Sequence, residues 1–402
     1  MKSILIFSLF FFLAISFSFS QNIEHWVELG LQNSPNSAAQ QAKINAAEKA
    51  MESVYEYPET QLQVSAIEWM PNDFSPYFRP TISLSQDLPW FGTKKTKKKI
   101  AQAEINSQQS IAKTVEAELI QKIKSQYIEL QHFNDKTDLL ENYKESLDAI
   151  HENLLIKLES GQAAAWEVIL LENEINNAKA EIKKSAYQFK QQKKFFQLLI
   201  GAETENIQLD SLVLKPVENV QEIKNHPTLA NLKAEQNQLE AGKKEIDLNY
   251  APKLNVGIHY EAAMPVEPTY VTHDMLMPTL GVSFPLFNNK KKSKKSFVNA
   301  QQQAISADIE KEKNRLNQEL ISTQNSLYEF QTDWETNQEN IQNTEDALEL
   351  LWKEYEANNI NFQDIIRVQT QLIEMNLAQI SAIKNHNQLQ TYLVYLLTDE
   401  QN

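Results

Sequence analysis

The chain has 402 residues, seven glycines, no cysteine and a formal net charge of −15. Ordinary glycine usage, about 7%, would place roughly 28 in a chain this long, so a fold built on dozens of tight turns is excluded and long unpunctuated helices are favoured. The missing thiols exclude disulfides, thiolate zinc sites and thiol catalysis, the acidic balance disfavours a nucleic-acid partner, and the glycine spacing offers no GxGxxG or GxxxxGK phosphate cradle.

Taken in chain order, Lys2 precedes an apolar run from Ile4 to Phe17, then Ser18-Phe19-Ser20. That order predicts a cleaved signal peptide over residues 1–20. Gln21, not cysteine, follows the cut, so no lipid anchor is expected there. No later stretch reaches the ~18 apolar residues of a membrane-spanning helix. Residues 21–57 read as an N-terminal helical segment, reopened at Asn33-Ser34-Pro35 and closed at Tyr57-Pro58. Two strands are expected in 58–91. In 61–70, Leu62, Val64 and Ala66 alternate with polar residues until register is lost near Ile67. In 81–88, Ile82, Leu84 and Leu88 alternate with Thr81, Ser83, Ser85 and Asp87. Lys94, Lys95, Lys97, Lys98 and Lys99 then open a long helical hairpin over 92–201. Its apolar positions recur at Leu140, Tyr143, Leu147, Ile150, Leu154 and Leu158, and on the return at Val168, Leu171, Ile175, Ala178 and Ile182. Alternating threes and fours give coiled-coil packing.

After an inter-repeat linker at 202–224 the plan starts again. A helix is expected over 225–251, from Asn225-His226-Pro227 to Ala251-Pro252. Two strands follow in 252–287. Leu254, Val256, Ile258, Tyr260, Ala262 and Met264 alternate in the first, and Leu280, Val282, Phe284 and Leu286 in the second. A second hairpin, 288–397, opens with Lys290, Lys291, Lys292, Lys294 and Lys295 and carries Leu327, Trp334, Ile341, Leu348 and Tyr355 at heptad spacing. A short tail, 398–402, closes the chain. The landmarks of the two halves match at a near-constant offset of roughly 195 residues, which reads as a tandem duplication.

Period-two alternation gives each strand one apolar and one polar face. Segments of about ten residues of this kind suit transmembrane β-barrel strands. Trp69, Tyr77, Phe78, Trp90, Phe91, Tyr260, Tyr270 and Phe287 lie near the strand ends, where aromatic girdles sit. A soluble sheet half-buried on a core fits the alternation equally well. Four strands cannot close a barrel, since about eight is the minimum. Open edges in lipid cost several kcal/mol per unpaired group. A membrane sheet would therefore have to be completed by further copies of the chain.

The signal peptide, the doubled helix–strand–strand–helix–helix plan, Ser85-Gln86-Asp87-Leu88-Pro89-Trp90-Phe91-Gly92 before one lysine run, and Val282-Ser283-Phe284-Pro285-Leu286-Phe287 before the other resemble the TolC-type outer-membrane efflux proteins. Leu158-Glu159-Ser160-Gly161 before Glu167-Val168-Ile169, and Tyr355-Glu356-Ala357-Asn358-Asn359 before Asp364-Ile365-Ile366, are similar to that family's helix-tip pattern. The resemblance spans the mature chain. It implies a mainly α fold with a small transmembrane β part: a homotrimer with a long coiled-coil α-barrel and a shared 12-stranded β-barrel in the outer membrane. It implies a periplasmic adaptor and an inner-membrane pump as partners, no cofactor and no catalysis. The lysine runs would lie at the junction of barrel and tunnel, near lipid headgroups.

The same resemblance points to a gate at the periplasmic tip, built on Glu167 and Asp364, with Arg367 able to tie to Asp364. The Leu-Pro-Trp-Phe-Gly run is similar to the heavy-metal-export branch. Thioethers and imidazole suit soft Cu(I) or Ag(I), so Met264, His273, Met275 and Met277, with Met70 in the first half, are candidate ligands. Glu167, Asp364 and Arg367 also read as ordinary helix-surface residues, and the methionines as packing residues. The alternative function is a secreted coiled-coil scaffold whose strands form a soluble tip. An enzyme is not expected, because no acid–base or nucleophile constellation converges.

Overall fold

The computed structural model describes residues 23–54, 57–65, 77–78, 80–204, 207–216, 223, 225–262, 264–265, 271, 273–285, 289–357 and 360–398. The expected signal peptide at 1–20, Met70 and the end of the tail lie outside the described residues. The elements are α1 (Ile23–Asn33), α2 (Pro35–Ser53), β1 (Thr60–Ser65), β2 (Tyr77–Phe78), β3 (Thr81–Leu88), α3 (Thr93–Glu159), α4 (Ala165–Ile200), α5 (Pro227–Asn249), β4 (Lys253–Glu261), β5 (Met264–Pro265), β6 (Met275–Ser283), α6 (Asn289–Glu356) and α7 (Phe362–Leu396). The chain forms two compact units. One comprises 1–39, 113–226 and 314–402, the other 40–112 and 227–313.

Local chemistry sets the helix limits. Pro35 and Pro227 occupy first-turn positions, where a missing N–H costs nothing. The Ser34 hydroxyl accepts the Ser37 N–H at 3.3 Å. Gly161 and Gly201, at φ 72° and 64°, end the outbound and return helices of the first hairpin in the left-handed region. No described helix is long and apolar enough to cross a membrane.

In the first unit the apolar stripes pack inward. Tyr143, Leu147 and Leu154 of α3 meet Val168, Leu171, Ile175 and Ala178 of α4, Tyr355 of α6 and Phe362, Ile365 and Ile373 of α7. Polar contacts join neighbouring helices. Gln126 of α3 donates to the Gln192 side chain of α4 at 2.7 Å, and Thr137 bonds Ser185 at 2.9 Å. On its other side α3 meets α7, where Gln388 donates to Glu129 at 3.0 Å. Beyond α7 lies α6, where Asn337 donates to Gln379 at 2.9 Å and Tyr392 to Glu319 at 2.7 Å. A second cluster joins Trp26 and Val27 of α1 to Ile123, Tyr127 and Leu130 of α3 and Phe196 and Ile200 of α4.

In the second unit, β1, β3, β4 and β6 form one antiparallel sheet in that order, and β2 pairs β5. α2 lies against α3, with Gln40 donating to the Gln108 carbonyl at 2.9 Å. α5 reaches α3 through Gln238 to Glu104 at 2.6 Å, and α6 through Gln236 to Ser306 at 3.0 Å.

Candidate functional site

The sheet is built with its apolar face uncovered. Paired positions align Val64, Ile82, Tyr260 and Leu276 in one row and Leu62, Leu84, Ile258 and Pro278 in the next. Across the central strands, Ile82, Leu84, Val256, Ile258 and Tyr260 are exposed, while Ser83, Ser85, Asn255, Gly257 and His259 between them are half-buried. A half-buried soluble sheet would show the reverse. The polar face is tight at Gly257. A Cβ there would lie 2.8 Å from Thr279 Oγ1 and 2.9 Å from the Leu84 carbonyl oxygen. Beside it, Asn255 donates to Asp87 at 2.8 Å.

The lysine runs open α3 and α6. Lys291 and Lys295 both reach Asp247 of α5, at 3.0 and 2.7 Å. Those ammonium groups, Lys295 first, hold the Asp247 carboxyl below its ordinary range. Lys94 sits 3.4 Å from the centre of the Tyr57 ring.

The tip residues part ways. Glu167, in the first turn of α4, is buried, and its Oε2 accepts the Ala164 N–H at 3.0 Å, closing the helix start. Burial, then the Glu167 carboxylate, pushes the Tyr355 phenol up. Asp364, in the first turn of α7, keeps 43% side-chain exposure and pairs with Arg367 at 3.3 Å. Lys157 lies 4.5 Å from the Tyr355 ring centre. Next to it a groove of about 610 Å³ is lined by Asn153, Trp352, Tyr355, Phe362 and Gln369.

The candidate soft-metal ligands are carried by different elements. Met264 falls in β5 opposite Phe78. His273 is an exposed loop residue. Met275 and Met277 lie in β6, which begins four residues before the alternation starts in the sequence. There they pair with Glu261 and His259. No group of three His, Asp or Glu side chains fit to hold a metal exists among the described residues.

Sequence reasoning missed the residues that pin 207–216 across the helices. Tyr127 donates to the Gln208 carbonyl at 3.1 Å, and Asn387 to the Val213 carbonyl at 2.9 Å. Asp135 accepts the Leu212 N–H at 2.7 Å. Nearby His132 is pushed down to about 4, by burial first and then by Lys384 and Lys136.

This arrangement of an open antiparallel sheet and two long helical hairpins recurs in solved structures. CusC, whose structures concern folding and transmembrane channel formation, superposes with TM-score 0.77 at 12% identity, covering 94% of this chain and 92% of its own. The outer membrane protein VceC of Vibrio cholerae gives 0.77 at 14% identity, over 94% and 96%. The MtrE outer membrane channel of Neisseria gonorrhoeae, in its open state, gives 0.73 at 12%, over 93% and 88%. The chain has the fold of these channels. The TolC-type likeness read from the sequence is thus present in the fold. No protein-family model and no curated protein matches the chain.

Proposed function

We propose that the chain is the outer-membrane exit duct of a tripartite exporter, a member of the TolC-type family, and not an enzyme. Its observation is the uncovered apolar face of the sheet. Ile82 at 46%, Leu84 at 47% and Ile258 at 51% exposure on the two central strands form an apolar band, and a lipid bilayer matches such a band. The strand directions support completion by further copies. β1 and β6 run opposite to one another, so β6 of one copy joined to β1 of the next continues an antiparallel ladder. Three copies give the 12-stranded barrel that the resemblance implies. In this reading residues 1–20 direct export and are removed, the two halves descend from one duplicated unit, and the helical hairpins face a periplasmic adaptor and inner-membrane pump.

At the tip, Asp364 with Arg367 is the exposed gate pair, and Glu167 supports it from inside the hairpin. For cargo, the reading extends to soft metal cations, for which Met264, His273, Met275 and Met277 are the proposed contacts. Deleting the protein should then sensitise cells to copper or silver but not to dyes; sensitivity to dyes alone rejects the metal cargo. The duct itself is tested by adding purified protein to planar bilayers. An ion-conducting trimer is expected. A monomer that stays in water without detergent overturns the reading and leaves the secreted scaffold.

A further inference from the structure

The end of the sheet that leads into α3 and α6 adjoins the lysine runs, with Glu59 and Asp87 also there. Two antiparallel steps separate β3 from β6, so their last residues share one end with the first residue of β4, Lys253. At that end Trp90 and Phe91 follow β3 before the lysines of α3, and Phe284 follows β6 ahead of those of α6. The far end of the described sheet carries Glu261 and Asp274.

Lysines in a first helical turn oppose the helix dipole, and this chain accepts that cost twice. Ion pairing explains only part of it. Asp247 engages Lys291 and Lys295, and aromatic rings receive Lys94 and Lys294. Lys95, Lys97, Lys99, Lys290 and Lys292 remain exposed, and Asp247 pairs with none of these five among the described residues. Their neighbours give the reason. The row Leu88, Leu254 and Val282 ends the apolar face at this end, and Phe91 is 81% exposed just beyond it. Apolar band, aromatic step and cationic rim follow the order of a bilayer from acyl chains through interface to headgroup. Lysine stems are long enough to lie on the apolar layer while the ammonium reaches phosphate.

We propose that Lys95, Lys97, Lys99, Lys290 and Lys292 form a collar that binds the phosphate headgroups of anionic phospholipids, at the end of the sheet where Trp90 and Phe91 meet the bilayer. The collar sets the depth of the sheet in the membrane and selects anionic lipid around it. This rests on the membrane-duct reading, and the test separates the two. Full-length protein is partitioned between buffer and vesicles of phosphatidylcholine alone, or of phosphatidylcholine with phosphatidylglycerol. Protease shielding of the strands reports insertion. The salt dependence of partitioning reports the collar.

Wild type should insert into both lipids and favour the anionic one by about tenfold at low salt, with the preference fading at high salt. The five-fold Lys→Gln variant should still insert into phosphatidylcholine but lose the preference. The five-fold Lys→Arg variant should keep it. Removing cations from helix starts favours the helix, so the Gln variant should fold, and its helical circular dichroism checks this. An inserted wild type without anionic preference, or a Gln variant that retains it, overturns the collar alone. Failure to insert into either lipid overturns the duct reading and the collar with it.

Discussion

The two units of this chain use the same side chains on opposite principles. In the helical unit, Leu147, Leu171 and Leu327 are fully buried. In the strand unit, Leu84 and Ile258 stand 47% and 51% exposed, while Ser83 and Gly257 on the other face of the same strands are half-buried. Burying a leucine is worth about 1.5–3 kcal/mol against water, so a whole exposed band is untenable in water and unremarkable in lipid. Composition is therefore a poor guide to solvent here. Which face of the element carries the leucine is the informative quantity.

The largest expected effect is in the helical unit. Phe362 is fully buried among Trp352, Tyr355 and Ile365. Phe362→Ala should cost about 3–5 kcal/mol, read as a lower urea midpoint of the helical signal. The mirror experiment is Ile258→Arg on the uncovered face. It should cost about 2–4 kcal/mol in membrane insertion and leave the urea midpoint of the helical signal unchanged. If it instead lowers the helix midpoint and spares insertion, the contrast between the units collapses.

Titration sharpens the same contrast, because His132 is buried in the helical unit. Its folded value of about 4 lies below the ordinary 6.5. The folded state therefore binds fewer protons than the unfolded one. The associated stability is fully present above about pH 6.5 and is lost as pH falls through 4. The loss has an upper bound of about 3 kcal/mol. His132→Gln should flatten that part of the pH–stability curve, and strand insertion should not follow it.

Much of this was legible because it rests on periodicity. The alternation of Ile82, Leu84 and Leu88 marks β3 to its ends. The heptad residues Tyr143, Leu147, Leu154, Leu171 and Ile175 lie in one cluster. Where periodicity fails, so does the reading. Met275, Leu276, Met277 and Pro278 do not alternate, so the first half of β6 reads as loop although it pairs residue by residue with β4. The 207–216 segment has no period at all. Its place is set by side chains from distant helices, Tyr127, Asp135 and Asn387, accepting or donating to its backbone. Glu167 and Asp364 look equivalent as acidic residues near a helix start. Only packing separates them: one turns inward to its own N-terminus, the other remains at the surface.

That last pair gives the smallest energetic prediction and the most direct functional one. Glu167→Ala removes a helix-start contact, so about 0.5–2 kcal/mol of stability should go with it, and any change in conduction would be confounded. Asp364→Ala removes one partner of an exposed i,i+3 pair, worth about 0–1 kcal/mol, so the urea midpoint should scarcely move. If the pair helps hold the tip closed, the resting conductance of single channels should nevertheless rise. Arg367→Ala should raise it too, since it breaks the same tie from the other side, but the two should differ in sign in cation preference. Losing Asp364 subtracts negative charge from the opening; losing Arg367 subtracts positive charge. Conductance and preference both unchanged in Asp364→Ala would leave the pair as a surface contact, and the gate would have to be sought among the aromatic side chains of the neighbouring groove.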